Sequence, residues 1–216
     1  MKRGFVIAIV GAESTGKTTL ALALRDALGS QGHDAVAVPE YLREFCDRHG
    51  RTPVQAEQAH IASEQAKRID EAAATHDIVI ADTSALMIAV YSELVFGDLS
   101  LYADAQAWQR RCDLSLLTAL DLPWQADGHQ RDGPHVREPV DALLRAALQR
   151  AGVGYAVVAG SGEKRLAGAL QAVRHALAAT TANDEARANP RWQWVCDRCG
   201  DVDCERHLLP RNGLSA

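Results

Sequence analysis

An eight-residue segment near the start of the chain combines residue types and a spacing that suit phosphate binding. It runs from Gly11 to Thr18 as GAESTGKT and follows the pattern G-x-x-x-x-G-K-T. Gly11 and Gly16 allow backbone turns that a Cβ would block, so the loop amides can converge on phosphate oxygens. Lys17 is expected to reach the β- and γ-phosphates, and the Thr18 hydroxyl is the expected Mg²⁺ ligand. The segment therefore predicts a site for ATP with Mg²⁺.

The sequence on both sides of this loop supports the prediction. Residues 5–10 are a short apolar run rich in β-branched side chains, which is typical of a buried strand. Residues 19–28 are strong helix formers followed by Gly29. A helix that begins at the loop adds the positive end of its dipole to the phosphate site. A chance glycine-rich turn would not need both neighbours.

Composition and charge limit the classes of protein to which the chain can belong. It has 216 residues, 47% of them apolar, and a net charge of −5. There is no block of basic residues, so sequence-independent nucleic-acid binding is not favoured. No apolar run approaches the about 20 residues that span a bilayer. Lys2 and Arg3 before an apolar run imitate a secretory leader, but that run ends in the phosphate loop. We expect a cytoplasmic protein without a membrane partner.

Four further apolar runs alternate with helix-forming segments. This order predicts an α/β fold: a three-layer P-loop NTPase with a five-stranded, mainly parallel sheet, as in nucleoside and nucleotide kinases. The further strands are predicted at 35–38, 77–82, 114–120 and 155–159. The further helices are predicted at 41–45, 54–74, 83–96, 101–111, 140–151 and 163–178.

Two acidic residues stand at the predicted ends of strands. Glu40 follows the second strand after Pro39, and Asp82 closes the third. Ligands bind at the carboxyl ends of strands in open α/β sheets. Asp82 is expected to bind Mg²⁺ or its water shell. Glu40, or failing that Asp82, is expected to orient or deprotonate an acceptor hydroxyl. The alternative for Glu40 is a cap on the helix that begins at Tyr41.

A polar segment at 121–139 interrupts the alternation of strands and helices. It contains proline, glycine, histidine and several arginine and aspartate residues, a composition that suits a mobile lid. A solvated surface loop is the alternative. If it is a lid, Arg131 and Arg137 would close over the transferring phosphoryl group and stabilise the charge that develops there.

The end of the chain carries a cysteine cluster. Three thiols and an imidazole in short loops suit tetrahedral Zn²⁺ in a small structural site. The alternatives are unligated cysteines, a redox pair, or an acidic residue in place of the histidine. The predicted ligands are Cys196, Cys199, Cys204 and His207. We predict a P-loop domain at 1–179, a linker at 180–191 and this cysteine-rich module at 192–216.

Taken together, these motifs resemble a known family. The resemblance is to the kinase domain of the bacterial bifunctional nicotinamide riboside kinase/nicotinamide mononucleotide adenylyltransferase regulator, and to the stand-alone ATPases related to it. It extends over about residues 1–177. The matching residues are Gly11 to Thr18, Glu40-Tyr41-Leu42-Arg43-Glu44-Phe45, Ile80-Ala81-Asp82-Thr83, and Pro123-Trp124 to Asp127-Gly128 with Arg131 and Arg137.

The resemblance implies that MgATP phosphorylates the ribose 5′-hydroxyl of nicotinamide riboside. We expect neither adenylyl transfer nor DNA binding, because 216 residues leave no room for the corresponding domains of the bifunctional protein. That protein also lacks the C-terminal cysteine module. By analogy with related P-loop kinases, adenine would lie near Gly160 and Gly162.

The expected ligand contacts follow from the loop and from the resemblance. Tyr41, Gln65 and Trp124 would stack on or hydrogen-bond an aromatic base, or else pack in the interior. Arg43 would contact a phosphate or form an ion pair. The predicted ATP-binding residues are Gly11, Glu13, Ser14, Thr15, Gly16, Lys17, Thr18, Thr19, Gly160 and Gly162. The predicted substrate-binding residues are Glu40, Tyr41, Arg43, Gln65, Trp124 and Asp127.

Two other functions stay open. One is a regulatory ATPase whose nucleotide site switches conformation while the C-terminal module binds a macromolecule. Such a module would also serve contacts with a protein partner or within a homo-oligomer. The other is a kinase for a different nucleoside or nucleotide, which shares the fold and differs only in the shape of its pocket.

Overall fold

The structure is a computed structural model that describes residues 3–125 and 133–188, with side chains as far as residue 181. The chain divides into two units, Met1–Leu177 and Ala178–Ala216. Arg131 and Asp127 lie outside the described residues, as do all four predicted zinc ligands. The predicted domain boundaries and the zinc site therefore stay predictions.

The first unit is organised around a five-stranded parallel sheet. The strands are β1 (Phe5–Val10), β2 (Ala35–Val38), β3 (Ile78–Asp82), β4 (Leu114–Thr118) and β5 (Ala156–Val158). Their order across the sheet is β2-β3-β1-β4-β5, and every pairing is parallel. The five-stranded parallel fold expected from the sequence is confirmed.

The strands are joined by helices. An α-helical crossover between neighbours is what a parallel pairing requires, because a short hairpin cannot reverse the chain direction twice. A 3₁₀ turn at Pro134–Val136 precedes the sixth helix. The helices are α1 (Lys17–Ser30), α2 (Tyr41–His49), α3 (Gln55–Ala73), α4 (Ala85–Phe96), α5 (Tyr102–Gln109), α6 (Arg137–Arg150) and α7 (Gly162–Ala188).

The central strand β1 buries both of its faces. Ile7 and Ile9 pack with side chains of α1 and α7, whereas Val10 packs with side chains of α4 and α6. Successive strand residues point to opposite faces, so a strand covered on both sides needs an unbroken apolar run. All six residues of β1 are buried. This double burial produces the three layers of the fold.

Helix α4 is apolar on nearly all sides. Leu86, Met87 and Ile88 are each no more than 2% exposed. A helix without a polar face is typical of a position inside the core, and α4 packs against α3, α5 and α6. The core thus continues directly into the carboxyl-end region of the sheet, because α4 begins three residues after β3 ends.

The predicted end of the last helix, at residue 178, is wrong. Helix α7 continues to Ala188. Residues 178–188 contain five alanines and neither glycine nor proline, and the first strong helix breaker is Pro190. Alanine-rich sequence without a breaker extends a helix even where its polar character suggests a linker. No helix in the described parts of the chain is long and apolar enough to cross a membrane.

Two glycines of the first unit provide a matched test of this packing. A Cβ on Gly11, which has φ +151°, would lie 2.0 Å from Thr118 Oγ1. A Cβ on Gly29, near the end of α1, would meet nothing within 4 Å. We expect Gly11→Ala to lower the free energy of unfolding by about 2–4 kcal/mol. Gly29→Ala should raise it by about 0.5–1 kcal/mol. Urea unfolding measures both, and equal effects would contradict the close approach of the loop to β4.

Candidate functional site

The loop between β1 and α1 has the backbone shape that binds anions. Ser14 and Gly16 have φ values of 54° and 75°, in the left-handed region. Such residues turn successive amides toward one point, which forms an anion-binding concavity. Gly16 is also the N-cap of α1, and no side chain there accepts a hydrogen bond from the helix. A helix N-terminus without a side-chain cap suits a phosphate group.

Hydrogen bonds fix this loop to the sheet. Thr15 Oγ1 donates to the Ala12 carbonyl over 2.8 Å and lies 2.7 Å from Thr118 Oγ1. Thr118 in turn donates to the Val10 carbonyl over 3.2 Å. Lys17 Nζ donates to the Ala12 carbonyl over 2.9 Å. These bonds hold the ammonium group of Lys17 over the loop, in a position from which it can reach a phosphate.

Arg165 belongs to this site although no sequence motif indicates it. It is 5% exposed, and its guanidinium donates to the Thr15 carbonyl over 2.7 Å and to the Gly160 carbonyl over 2.8 Å. It also donates to Asp121 Oδ1 over 3.0 Å. The Gly160 amide, followed by Arg165, lowers the pKa of Asp121 below its usual value. Arg165 thus ties the phosphate loop to the turn at Gly160.

A cavity of about 290 Å³ opens beside the phosphate loop. Residues of the loop, of α2, of the segment before α3, and of α3 and α4 meet there. Its lining is mixed, with apolar and aromatic side chains next to carboxylates, an ammonium, a guanidinium and hydroxyls. The lining residues are Glu13, Ser14, Lys17, Glu40, Leu42, Arg43, Thr52, Pro53, Val54, Gln58, Thr83, Met87, Tyr91, Val95 and Phe96.

The carboxylate of Glu40 belongs to this cavity. Glu40 occupies the N-cap position of α2, yet its side chain makes no capping hydrogen bond. The Tyr41 amide instead donates to Gln65 Oε1 over 2.7 Å. Glu40 Oε2 lies 3.9 Å from Arg43 Nη2, and Arg43 also lines the cavity. The ion pair and the phosphate contact expected for Arg43 are both compatible with this position. Gln65 therefore takes over the capping role that was the alternative for Glu40.

The end of β3 carries the carboxylate that is predicted to bind Mg²⁺. Asp82 lies opposite Ile9 of β1 and is 3% exposed. Within residues 3–125 and 133–188, its Oδ1 atom has no hydrogen-bond partner. A buried carboxylate oxygen without a donor suits a hard divalent cation, which prefers oxygen ligands. Thr18, the other predicted Mg²⁺ ligand, lies exposed at the start of α1.

Several predicted ligand contacts do not line the cavity. Gln65 is fully buried, and Tyr41 is 5% exposed with the guanidinium carbon of Arg68 4.3 Å from its ring centroid. Trp124 is half-buried, and its Nε1 has no hydrogen-bond partner in the described part of the chain. Arg137, at the start of α6, is 8% exposed, and its Nε and Nη2 atoms likewise have none.

A salt bridge that no sequence motif indicates shapes one wall of the cavity. Arg51 donates to both carboxylate oxygens of Glu57, each over 2.7 Å. Glu57 also accepts the Val54 amide over 2.8 Å, which satisfies the first turn of α3. The intervening residues 52–54 line the cavity. This pair therefore holds one wall of the cavity in place.

The fold and the phosphate loop together define a P-loop nucleotide-binding protein. The chain belongs to the AAA domain family AAA_28, whose model matches residues 6–165. A search of curated proteins finds no match.

Two solved structures of NadR have the same fold. One is NadR in complex with NAD and AMP-PNP, with a TM-score of 0.64 and 20% identity, covering 81% of this chain and 50% of that one. The other is NadR in complex with NR, with a TM-score of 0.64 and 21% identity, covering 80% and 50%. The chain thus spans half the length of these NadR chains. The resemblance stated from the sequence is confirmed as a likeness of fold.

The Arg51–Glu57 pair predicts an acid limit to the stability of the cavity wall. The hydrogen bonds from Arg51 and then from the Val54 amide lower the pKa of Glu57 from 4.5 to about 2. A lowered pKa stabilises the folded state above the unfolded value and loses this effect as the pH falls through the folded value. We expect the wild type to melt above Glu57→Gln at neutral pH. The gap should stay constant down to about pH 4.5 and close between there and pH 2.

Thermal melting of both proteins from pH 7 to pH 2 provides the measurement. Glu71→Gln is a suitable control, because Glu71 is exposed and lies away from the cavity. A difference in melting temperature between wild type and Glu57→Gln that persists unchanged at pH 2 would contradict the lowered pKa of Glu57.

Proposed function

We propose that the protein is an ATP-dependent kinase that phosphorylates the ribose 5′-hydroxyl of a nucleoside, with nicotinamide riboside as the first candidate. One observation carries the proposal: a single cavity is lined both by Lys17 of the phosphate loop and by the Glu40 carboxylate. Phosphoryl transfer requires a donor phosphate and an acceptor hydroxyl to be held next to each other. A regulatory ATPase needs a site for the donor phosphate but no cavity for an acceptor.

The size and lining of the cavity support a small ligand such as a nucleoside. Its volume of about 290 Å³ lies just below the usual range for small-molecule sites, about 300–1,000 Å³. Tyr91, Met87 and Phe96 from α4 supply aromatic and thioether surface for a flat heterocycle. Gln58 of α3 and Arg43 of α2 supply polar groups. This combination of apolar and polar groups favours a base joined to a sugar.

The proposed mechanism uses positioning and charge. Lys17 and the loop amides hold the β- and γ-phosphates of ATP. Asp82 and Thr18 would hold Mg²⁺, which neutralises charge on the phosphates. Glu40 orients the acceptor hydroxyl and accepts its proton, a modest demand because the transition state is loose. Arg137 suits an anionic ligand, since two of its buried nitrogens lack a partner among the described residues.

The choice of nicotinamide riboside is supported by the resemblance. The NadR structures hold NR in one case and NAD with the ATP analogue AMP-PNP in the other. We extend these ligands to this chain as a proposal. The further proposals are a cytoplasmic location, the lid arginine at Arg131, the contact at Asp127 and a structural zinc module at 192–216.

Removal of the Lys17 ammonium should abolish turnover. We expect Lys17→Ala to fold normally and to lose more than 100-fold in ADP release, because the charge on the β- and γ-phosphates is no longer compensated. Lys67→Ala is the matched control, since Lys67 is exposed on α3 and its ion pairs with Glu64 and Glu71 lie at the surface. ADP release from MgATP would be followed with nicotinamide riboside, ordinary nucleosides, deoxynucleosides and nucleoside monophosphates.

Each result of this screen decides between the functions. Strong stimulation by nicotinamide riboside is the expected outcome. Stimulation by another nucleoside or nucleotide keeps the mechanism and changes the acceptor. Bound nucleotide with no stimulation by any acceptor contradicts the kinase and favours a regulatory ATPase. Full turnover by Lys17→Ala would overturn the assignment of the phosphate loop.

Replacement of Glu40 should slow the chemical step. We expect Glu40→Gln to lower kcat about 100-fold, because the amide cannot accept the acceptor proton. Its affinity for MgATP should not change, since Glu40 lies outside the phosphate loop. Glu44→Gln is the control on the same helix, because Glu44 pairs with Arg48 and Arg68 and does not line the cavity. An equal kcat for Glu40→Gln and wild type would remove Glu40 from the mechanism.

A further inference from the structure

Thr83, the residue after β3, has an unusual backbone conformation. Its φ is 81°, in the left-handed region that β-branched residues avoid. Among residues 3–125 and 133–188, the non-glycine residues with positive φ are Ser14 and Thr83. Both line the same cavity. Such strain persists only where the surrounding structure imposes it, and it concentrates at functional sites.

The side chain of Thr83 is as unusual as its backbone. The residue is 2% exposed and lines the cavity, yet in the described part of the chain its Oγ1 has no hydrogen-bond partner. A buried hydroxyl without a partner destabilises the folded protein. Valine would occupy nearly the same volume without this penalty. Because Thr83 lines the cavity, a ligand bound there is a candidate partner for this hydroxyl.

Gln65 and β1 hold the strained residue from both sides. The Thr83 amide donates to the Ile9 carbonyl over 3.1 Å. Gln65 Nε2 lies 3.4 Å from the Thr83 carbonyl and 3.4 Å from the Pro39 carbonyl. Because Gln65 Oε1 also accepts the Tyr41 amide, this one buried side chain joins the chain after β3 to the chain after β2. It therefore fixes the backbone next to two cavity residues, Thr83 and Glu40.

We infer that Thr83 binds the acceptor through its hydroxyl, which pairs with a hydroxyl group of the nucleoside, and that Gln65 is the positioning residue that holds it there. The inference rests on the proposed function, because it names a contact of the same acceptor. A threonine hydroxyl both donates and accepts, so it is matched to a sugar hydroxyl. Glu40 still orients the reacting hydroxyl. Thr83 binds a different hydroxyl of the acceptor and takes no part in the phosphoryl transfer.

Calorimetric titration of nicotinamide riboside into wild type, Thr83→Val and Thr83→Ser provides the test. We expect Thr83→Val to weaken affinity about tenfold, as for the loss of one ligand hydrogen bond. Thr83→Ser keeps the hydroxyl and should stay within about twofold of wild type. Affinity for Mg²⁺ with AMP-PNP should be the same in all three. Thr83→Val should melt at or above the wild-type temperature, because an unpaired buried hydroxyl is gone.

Two results would overturn the inference. Unchanged affinity of Thr83→Val for nicotinamide riboside would show that the hydroxyl makes no contact with the acceptor. Loss of affinity for Mg²⁺ with AMP-PNP would assign the hydroxyl to the metal and nucleotide side instead.

A double-mutant cycle tests the role of Gln65. Gln65→Glu keeps the acceptor for the Tyr41 amide and loses both donors. We expect it to weaken acceptor binding in the wild-type background and to have little further effect in the Thr83→Val background. A merely structural role predicts equal losses in both backgrounds, which would contradict positioning.

The readout separates this inference from the proposed function. Binding of nicotinamide riboside without phosphoryl transfer contradicts the kinase, and the affinity of Thr83→Val still decides the role of Thr83. If another nucleoside of the panel binds in its place, that nucleoside is the titrant. If the wild type binds no member of the panel, the Thr83 assignment is overturned as well.

Discussion

The close contact between the phosphate loop and β4 is the constraint on which the rest of the site depends. A Cβ on Gly11 would lie 2.0 Å from Thr118 Oγ1, and the hydroxyls of Thr15 and Thr118 are 2.7 Å apart. The loop can adopt its anion-binding shape only because its first residue has no side chain at this point. In return, the hydroxyl of Thr118 connects the loop to the end of the strand. The position of Lys17 follows from this contact.

Parallel pairing brings the other groups to the same edge of the sheet. Since β1 lies between β3 and β4, the residues that follow these strands converge at their carboxyl ends. Asp82 comes from β3, and Glu40 from the chain after β2 one strand further out. The carboxylates therefore lie on the β3 side of the loop, while Arg165, which pairs with Asp121 after β4, donates to the loop carbonyl of Thr15.

Local patterns in the sequence were sufficient for the strands, the loop and the acidic strand ends. The run at 5–10 and the motif at 11–18 each carry their information in adjacent residues. Arg165 could not be found in this way, because it binds a carbonyl 150 residues earlier and its neighbours form an ordinary helix. The residue type of Gln65 suits a hydrogen bond to a base, so the sequence predicts a ligand contact there. Its burial depends on the approach of α3 to β2 and β3, which no local pattern specifies.

The backbone strain at Thr83 could not be predicted either, because a threonine in the sequence does not indicate a left-handed conformation. The prediction that the last helix ends at residue 178 failed for a different reason. Polar residues at 180–190 suggested a linker, but helix propensity does not require an apolar face.

The apolar character of α4 has a consequence for how the protein can evolve. Met87 is at once part of the main core and part of the cavity wall, and it is 2% exposed. A change of shape on this side alters packing and ligand preference together, so new specificity gained there would be accompanied by lost stability. Thr52 and Val54, in the segment before α3, are exposed. Relatives that differ in ligand preference should therefore have diverged first in this segment.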